Sequence, residues 1–134
     1  MSNRIFQFAL LVREYDEAIA FYTEKLDFEL LEDTPLSETK RWVRIRPRGD
    51  DHCGILLARA ATDEQRAAVG NQTGGRVFLF MATDDLNRDY RNFLASGVRI
   101  VRPPSVEEFG KVFVFADLYG NLWDIIQHHP SHPV

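Results

Sequence analysis

A chain of 134 residues, 45% apolar and 27% charged, can bury one sizeable core and has neither the composition of a disordered polypeptide nor that of a membrane-spanning one. Sixteen Lys and Arg against twenty Asp and Glu give a net charge of −4, which lacks the basic excess of a nucleic-acid binder, although Lys40, Arg41, Arg44, Arg46 and Arg48 cluster locally and leave room for a small anionic ligand. One cysteine, Cys53, permits no intrachain disulfide and points to a cytoplasmic protein.

The apolar run from Arg4 to Val12 is too short for a membrane span and reads as a buried strand over Ile5 to Val12. Asp16 is the expected cap of a helix whose Ala18, Ile19, Phe21, Tyr22 and Leu26 recur at helical spacing. Phe28 to Glu32 reads as a strand and Thr34 to Glu38, with Pro35, as a loop. In the strand Arg41 to Arg46, Val43 and Ile45 share one face while Trp42, Arg44 and Arg46 share the other, which meets either solvent or a ligand-bearing concavity. His52 to Arg59 supplies another strand, with Cys53 inside it as an inert thiol.

Thr62 and Gln65 fit a capping box ahead of a short helix, and Gly70 to Gly75 reads as a connector. Beyond it, Arg76 to Ala82 is strand-like, Asp85 or its neighbour caps a helix through Ser96, and Val98 to Val101 is a strand ended by Pro103 and Pro104. Lys111 to Ala116 and Leu122 to Gln127 are the last strands, joined by the turn Asp117 to Gly120, and the His/Pro tail is expected to be mobile. Its His128, His129 and His132 suit adventitious metal capture better than a preorganised site.

This order repeats. Val12 to Tyr22 overlays Thr83 to Phe93 at an offset of 71 residues, and a one-residue adjustment sets Asp27 over Gly97 at a turn where Asp tolerates left-handed backbone. The expected fold is α+β: residues 1–134 form one domain of two βαβββ modules, approximately 4–60 and 75–127, making an incomplete barrel or cup. A fully packed core is the alternative to an open cup.

The stretch Leu11-Val12-Arg13-Glu14-Tyr15-Asp16-Glu17-Ala18-Ile19-Ala20-Phe21-Tyr22, then Leu26-Asp27-Phe28, and the terminal Asp117-Leu118-Tyr119-Gly120-Asn121-Leu122-Trp123-Asp124 resemble the vicinal-oxygen-chelate superfamily of glyoxalase I, extradiol dioxygenases and bleomycin-resistance proteins. That resemblance implies a cup lined by strands that commonly carry divalent-metal ligands. The corresponding positions here are Gln7, Leu56, Phe78 and Asp124, of which only Gln7 and Asp124 offer donors, so no metal and no other cofactor is expected. Asp124 then needs a partner, either Arg44 or Arg46 or a bound substrate.

If Phe78 points inward, alternation adds Phe80, and the neighbouring strand adds Phe113 and Phe115; with Trp42 they form either an aromatic ligand surface or ordinary core. Tyr119, before the last strand, either covers the pocket or packs at its edge, and His52 lacks a visible catalytic partner. The expected function is metal-independent binding of an aromatic or anionic small organic molecule by a homodimer without nucleic-acid or membrane partners. The alternatives are a glyoxalase-like lyase or dioxygenase with an atypical or degenerate metal site, and a nonbinding interaction module.

Overall fold

The computed structural model describes residues 2–132, and the chain divides into two compact units, the first ending at Gly70 and the second beginning at Asn71. The first unit runs β1 (Gln7–Val12), α1 (Tyr15–Ala20), a wider π-helical turn (Phe21–Lys25), β2 (Phe28–Pro35), β3 (Arg41–Pro47), β4 (Gly54–Arg59) and α2 (Asp63–Ala68). Its sheet order is β1-β4-β3-β2, with β1 parallel to β4 and the other pairs antiparallel. The second unit runs β5 (Val77–Ala82), α3 (Leu86–Ala95), β6 (Arg99–Glu107), β7 (Gly110–Ala116) and β8 (Leu122–His128), in the order β5-β8-β7-β6 with β5 parallel to β8. These are two βαβββ modules of the α+β class, each an open four-stranded sheet rather than a closed barrel.

Alternation builds each core. In the first module Leu10, Val12, Val43, Ile45 and Leu57 have no exposed surface, and Ala18, Phe21 and Tyr22 of the helical segment are buried with them. Full burial of each large aliphatic side chain contributes about 1.5–3 kcal/mol. In the second module Phe93 of α3 meets Phe113 and Phe115 edge-on, with ring centroids 5.7 and 4.9 Å apart, and Phe115 stacks on Trp123 at 5.7 Å. The internal repeat extends to the backbone: Asp27 has φ 56° and Gly97 φ 78°, so in both modules the chain leaves the helix through a left-handed residue.

Among the described residues, two of the three α-helices start on a side-chain cap. Asp85 accepts the Arg88 amide at 3.1 Å, and Thr62 accepts the Gln65 amide at 3.1 Å, while Gln65 reaches back to the Ala61 amide at 2.7 Å. Asp16 is not a cap: α1 starts after Glu14 without a side-chain cap, and Asp16 instead accepts from Arg41 Nη1 at 2.8 Å. Arg41 also holds Asp33 at 2.6 and 3.0 Å, lies 5.1 Å over the Tyr15 ring, and donates its amide to Tyr15 Oη. This clamp ties α1 to the β2–β3 hairpin.

Three strand boundaries depart from expectation. Pro35 pairs with Arg41 inside the β2–β3 ladder. β6 continues through Pro103 and Pro104, which is tolerated because it is an edge strand whose register shifts between Arg102 and Ser105. Cys53 precedes β4 rather than lying in it. Of the expected mobile tail, His128 closes β8, His129 donates its amide to Phe109 at 2.7 Å, and Pro133 and Val134 lie outside the described residues.

Candidate functional site

Each module leaves one sheet face uncovered by its helix, and each such face carries a cavity. In the first module, register puts Ala9 beside Leu56, Leu11 beside Ala58, and Arg44 beside Leu56, so Gln7, Trp42, Arg44 and Arg46 share the face opposite the core. Arg44 Nε donates to Gln7 Oε1 at 2.6 Å, and Arg46 Nε donates to Glu29 Oε1 at 2.8 Å. A methyl group added at Gly54 would stand 3.1 Å from Arg44 Nη2, so the missing side chain there leaves the guanidinium its room. The arginines singled out by sequence thus already have acceptors within their own module.

The cavity on this face has a volume of about 560 Å³ and is lined by Leu11, Tyr15, Trp42, Leu56 and Ala58, with Lys40, Arg59 and Arg66 at its polar side. The sequence puts Lys40 in a local basic cluster but singles out neither Arg59 nor Arg66, because the three come from the β2–β3 hairpin, the end of β4 and α2. Arg66 bonds Asp63 at 2.6 Å, and Arg59 reaches Glu14 at 3.4 Å, both pairs largely exposed. Such pairs exchange readily with a ligand carboxylate, since exposed ion pairs contribute only about 0–1 kcal/mol.

In the second module two of the aromatic residues meet the core alternative, although Phe113 also borders the cavity on the other side of the sheet. Phe113 and Phe115 are fully buried on the α3 side, Phe113 also meeting Tyr90 at 5.4 Å. Alternation correctly put the pair on one face, but β7 is apolar on both faces from Phe113 to Ala116, so hydrophobicity could not say which. Phe78 and Phe80 have different surroundings. A register shift between Val77 and Leu79 brings Phe78 against Trp123 at 6.3 Å, while Phe80 pairs with Asp124 and is 66% exposed.

Asp124 lies on the face opposite Trp123 and lines a cavity of about 340 Å³ with Leu122, Val114, Val112 and Arg102. Its Oδ1 is shielded from solvent without a hydrogen-bond partner, and this burial pushes the carboxyl above its ordinary range against a weaker pull from Arg102. His128 Nδ1 is likewise buried and unpartnered. Tyr119 is half-buried in the β7–β8 turn. The turn is organised by Asp117, whose Oδ1 accepts the amides of Tyr119, Gly120 and Asn121 at 3.1, 3.1 and 2.9 Å, and whose Oδ2 accepts Asn121 Nδ2 and Trp123 Nε1 at 3.0 and 3.2 Å. The corresponding connector in the first module is open: His52 Nδ1 lies 3.1 Å from Asp50 and 3.2 Å from Asp51, and His52 and Asp51 are almost fully exposed.

The model of the Glyoxalase/Bleomycin resistance protein/Dioxygenase superfamily matches residues 4–125. The chain belongs to that superfamily. An uncharacterized protein of Shewanella frigidimarina is 50% identical over the full length of both chains. Among solved structures, UcmS2 is 26% identical with a TM-score of 0.82, covering 94% of this chain and 98% of its own, and TnmS3, an antibiotic binding protein from Streptomyces sp. CB03234, is 25% identical with a TM-score of 0.79, covering 96% and 98%. Small-molecule binding is the class of function that this membership supports.

The residues at the positions where the resemblance implies metal ligands do not fit a divalent centre. Gln7 gives its oxygen to a guanidinium 2.6 Å away, Leu56 and Phe78 have no donor atom, and Asp124 alone remains. A separate set, Asp50, Asp51 and His52, brings three ligand atoms within 4.8 Å of one another on the surface of the first module.

Proposed function

We propose that this protein binds an aromatic or anionic small organic molecule on the concave face of its first module and sequesters or carries it, as a cytoplasmic homodimer. The observation that carries this reading is the cavity in which Trp42 offers an aromatic wall beside Lys40, Arg59 and Arg66. TnmS3, which shares the fold over nearly the whole chain, binds an antibiotic, and that lends support. Arg44 and Arg46 stand on this same face outside the cavity lining and add to its charge, and Gln7 is a further proposed contact there; on the open face of the second module Phe80, Tyr119 and Asp124 remain proposed ligand contacts, with Phe78, Phe113 and Phe115 acting through packing.

Fluorescence titration with 2-naphthoate tests the binding reading. Saturable quenching is expected, with affinity reduced about tenfold in Trp42→Ala. No saturation, or an unchanged affinity in that variant, would overturn it. Sedimentation equilibrium should return twice the chain mass, and a monomer at all concentrations would remove the homodimer.

A second reading is favoured by the Asp50–Asp51–His52 set: a glyoxalase-like lyase or dioxygenase whose divalent ion has left the customary position. Metal analysis after removal of the terminal histidines separates the two. Stoichiometric metal abolished by Asp50→Ala with His52→Ala supports the enzyme, whereas metal-free protein that still binds 2-naphthoate supports the carrier.

A further inference from the structure

The cavity of the second module has its own chemistry, and what it would recognise follows from how the sheet register arranges three of its lining residues. Arg102 on β6 pairs with Val114 on β7, and Val114 pairs with Asp124 on β8. Cross-strand partners share a face, so these side chains form one row with the guanidinium and carboxylate at its ends and an apolar residue between them. Strands about 4.8 Å apart put the two charged residues' backbones roughly 10 Å from each other. All three line the same cavity of about 340 Å³.

The acid at one end of this row is unfinished. Asp124 Oδ1 is shielded from water and accepts no hydrogen bond, although Arg102 is near enough to be felt electrostatically. The other acid at this cavity, Glu107, already accepts from Ser105 Oγ at 3.1 Å. On the matching face of the first module, by contrast, Gln7 and Glu29 each have an arginine at 2.6 and 2.8 Å. A buried acceptor left unmade is disfavoured unless something supplies the donor.

We propose that this cavity takes an amphoteric small molecule, its protonated amine donating to Asp124 and its carboxylate accepting from Arg102, with a flat apolar body lying over Val114. The inference rests on the reading that the concave faces bind small organic molecules, and adds the ligand class for the second one. A ligand with only an acid would meet the Asp124 charge, and one with only an amine would meet Arg102, so both ends are needed for full affinity. Exposed Phe80, the cross-strand neighbour of Asp124, extends the row with an aromatic surface.

The test uses 4-(aminomethyl)benzoate, whose amine and carboxylate leave opposite sides of one ring, with benzylamine and benzoate as its two halves. Calorimetric titration should show the whole molecule binding at least about tenfold tighter than either half. Asp124→Asn should reduce it to the benzoate level and Arg102→Gln to the benzylamine level, each variant keeping the wild-type circular dichroism spectrum. Equal affinities for the three probes, or binding indifferent to both substitutions, overturn the inference while 2-naphthoate binding still stands. If none of the probes and no naphthoate bind, the reading beneath it falls as well. Strong coupling between the two substitutions in urea unfolding, with no effect on probe binding, would mark the residues as a structural ion pair and also overturn it.

Discussion

The two modules repeat one architecture but treat their acidic groups in opposite ways. In the first, Asp33 is gripped by Arg41, whose hydrogen bonds hold its carboxyl below the ordinary range. In the second, Asp124 is partly buried without a hydrogen-bond partner at Oδ1, and desolvation pushes its carboxyl up. The connectors reverse the pattern: Asp117 in the second module is saturated with donors, while Asp50 and Asp51 in the first stand near the surface beside His52. A duplicated fold therefore has two independent places per module at which polar groups can be either satisfied internally or left for something else.

Substitutions can break this comparison, beginning with the largest effect. Phe113→Ala empties the centre of the second aromatic core and should cost about 3–5 kcal/mol in urea unfolding, whereas Phe80→Ala on the opposite, exposed side of the same sheet should stay within about 0.5 kcal/mol. Similar losses from both would contradict the facing assigned to them. Asp117→Ala leaves three amides, a carboxamide and an indole N–H without their acceptor, and a loss of about 3 kcal/mol is expected. Asp50→Ala at the equivalent connector should change stability by less than about 0.5 kcal/mol.

The pH dependence has opposite signs in the two modules. Asp33 has a folded pKa below its unfolded value of 3.8, so its contribution is fully present above that value and is lost as pH falls toward and through the depressed one. Asp124 has a folded pKa above 3.8, so the folded state binds its proton more tightly, and stability is lost as pH rises from 3.8 through the raised value. Thermal melts should accordingly show Asp124→Asn more stable than wild type at neutral pH, with the difference closing in acid. The Arg41→Ala variant should be less stable at neutral pH, and its deficit should shrink in acid. A pH-independent difference in both variants would remove the contrast.

Much of the architecture was legible because a repeat supplies two readings of each element. The overlay of Val12–Tyr22 on Thr83–Phe93 located both helices, and Asp27 over Gly97 anticipated a shared left-handed turn. Thr62, Gln65 and Asp85 announced their helix starts through local hydrogen bonding that depends on little else. Trp42, Arg44 and Arg46 were correctly put on one face because β3 alternates cleanly. For the aromatic residues the choice between ligand surface and core stayed open in the sequence, because β7 is apolar on both sides and no local pattern announces the register shift between Val77 and Leu79. Lys40 was legible only as part of a basic cluster, and Arg59 and Arg66 were not legible as its companions, because the three converge only in three dimensions, and the burial of Asp124 Oδ1 depends on neighbours that no local pattern reveals.

The contrast between a satisfied and an unsatisfied acid underlies both the comparison and the proposed ligand class, and carboxyl carbon-13 NMR titration of the ligand-free protein reads it residue by residue. Asp33 should titrate below 3.8 and Asp124 above it. An Asp124 midpoint at or below 3.8 would mean that the carboxylate is already paired in solution and would contradict the account.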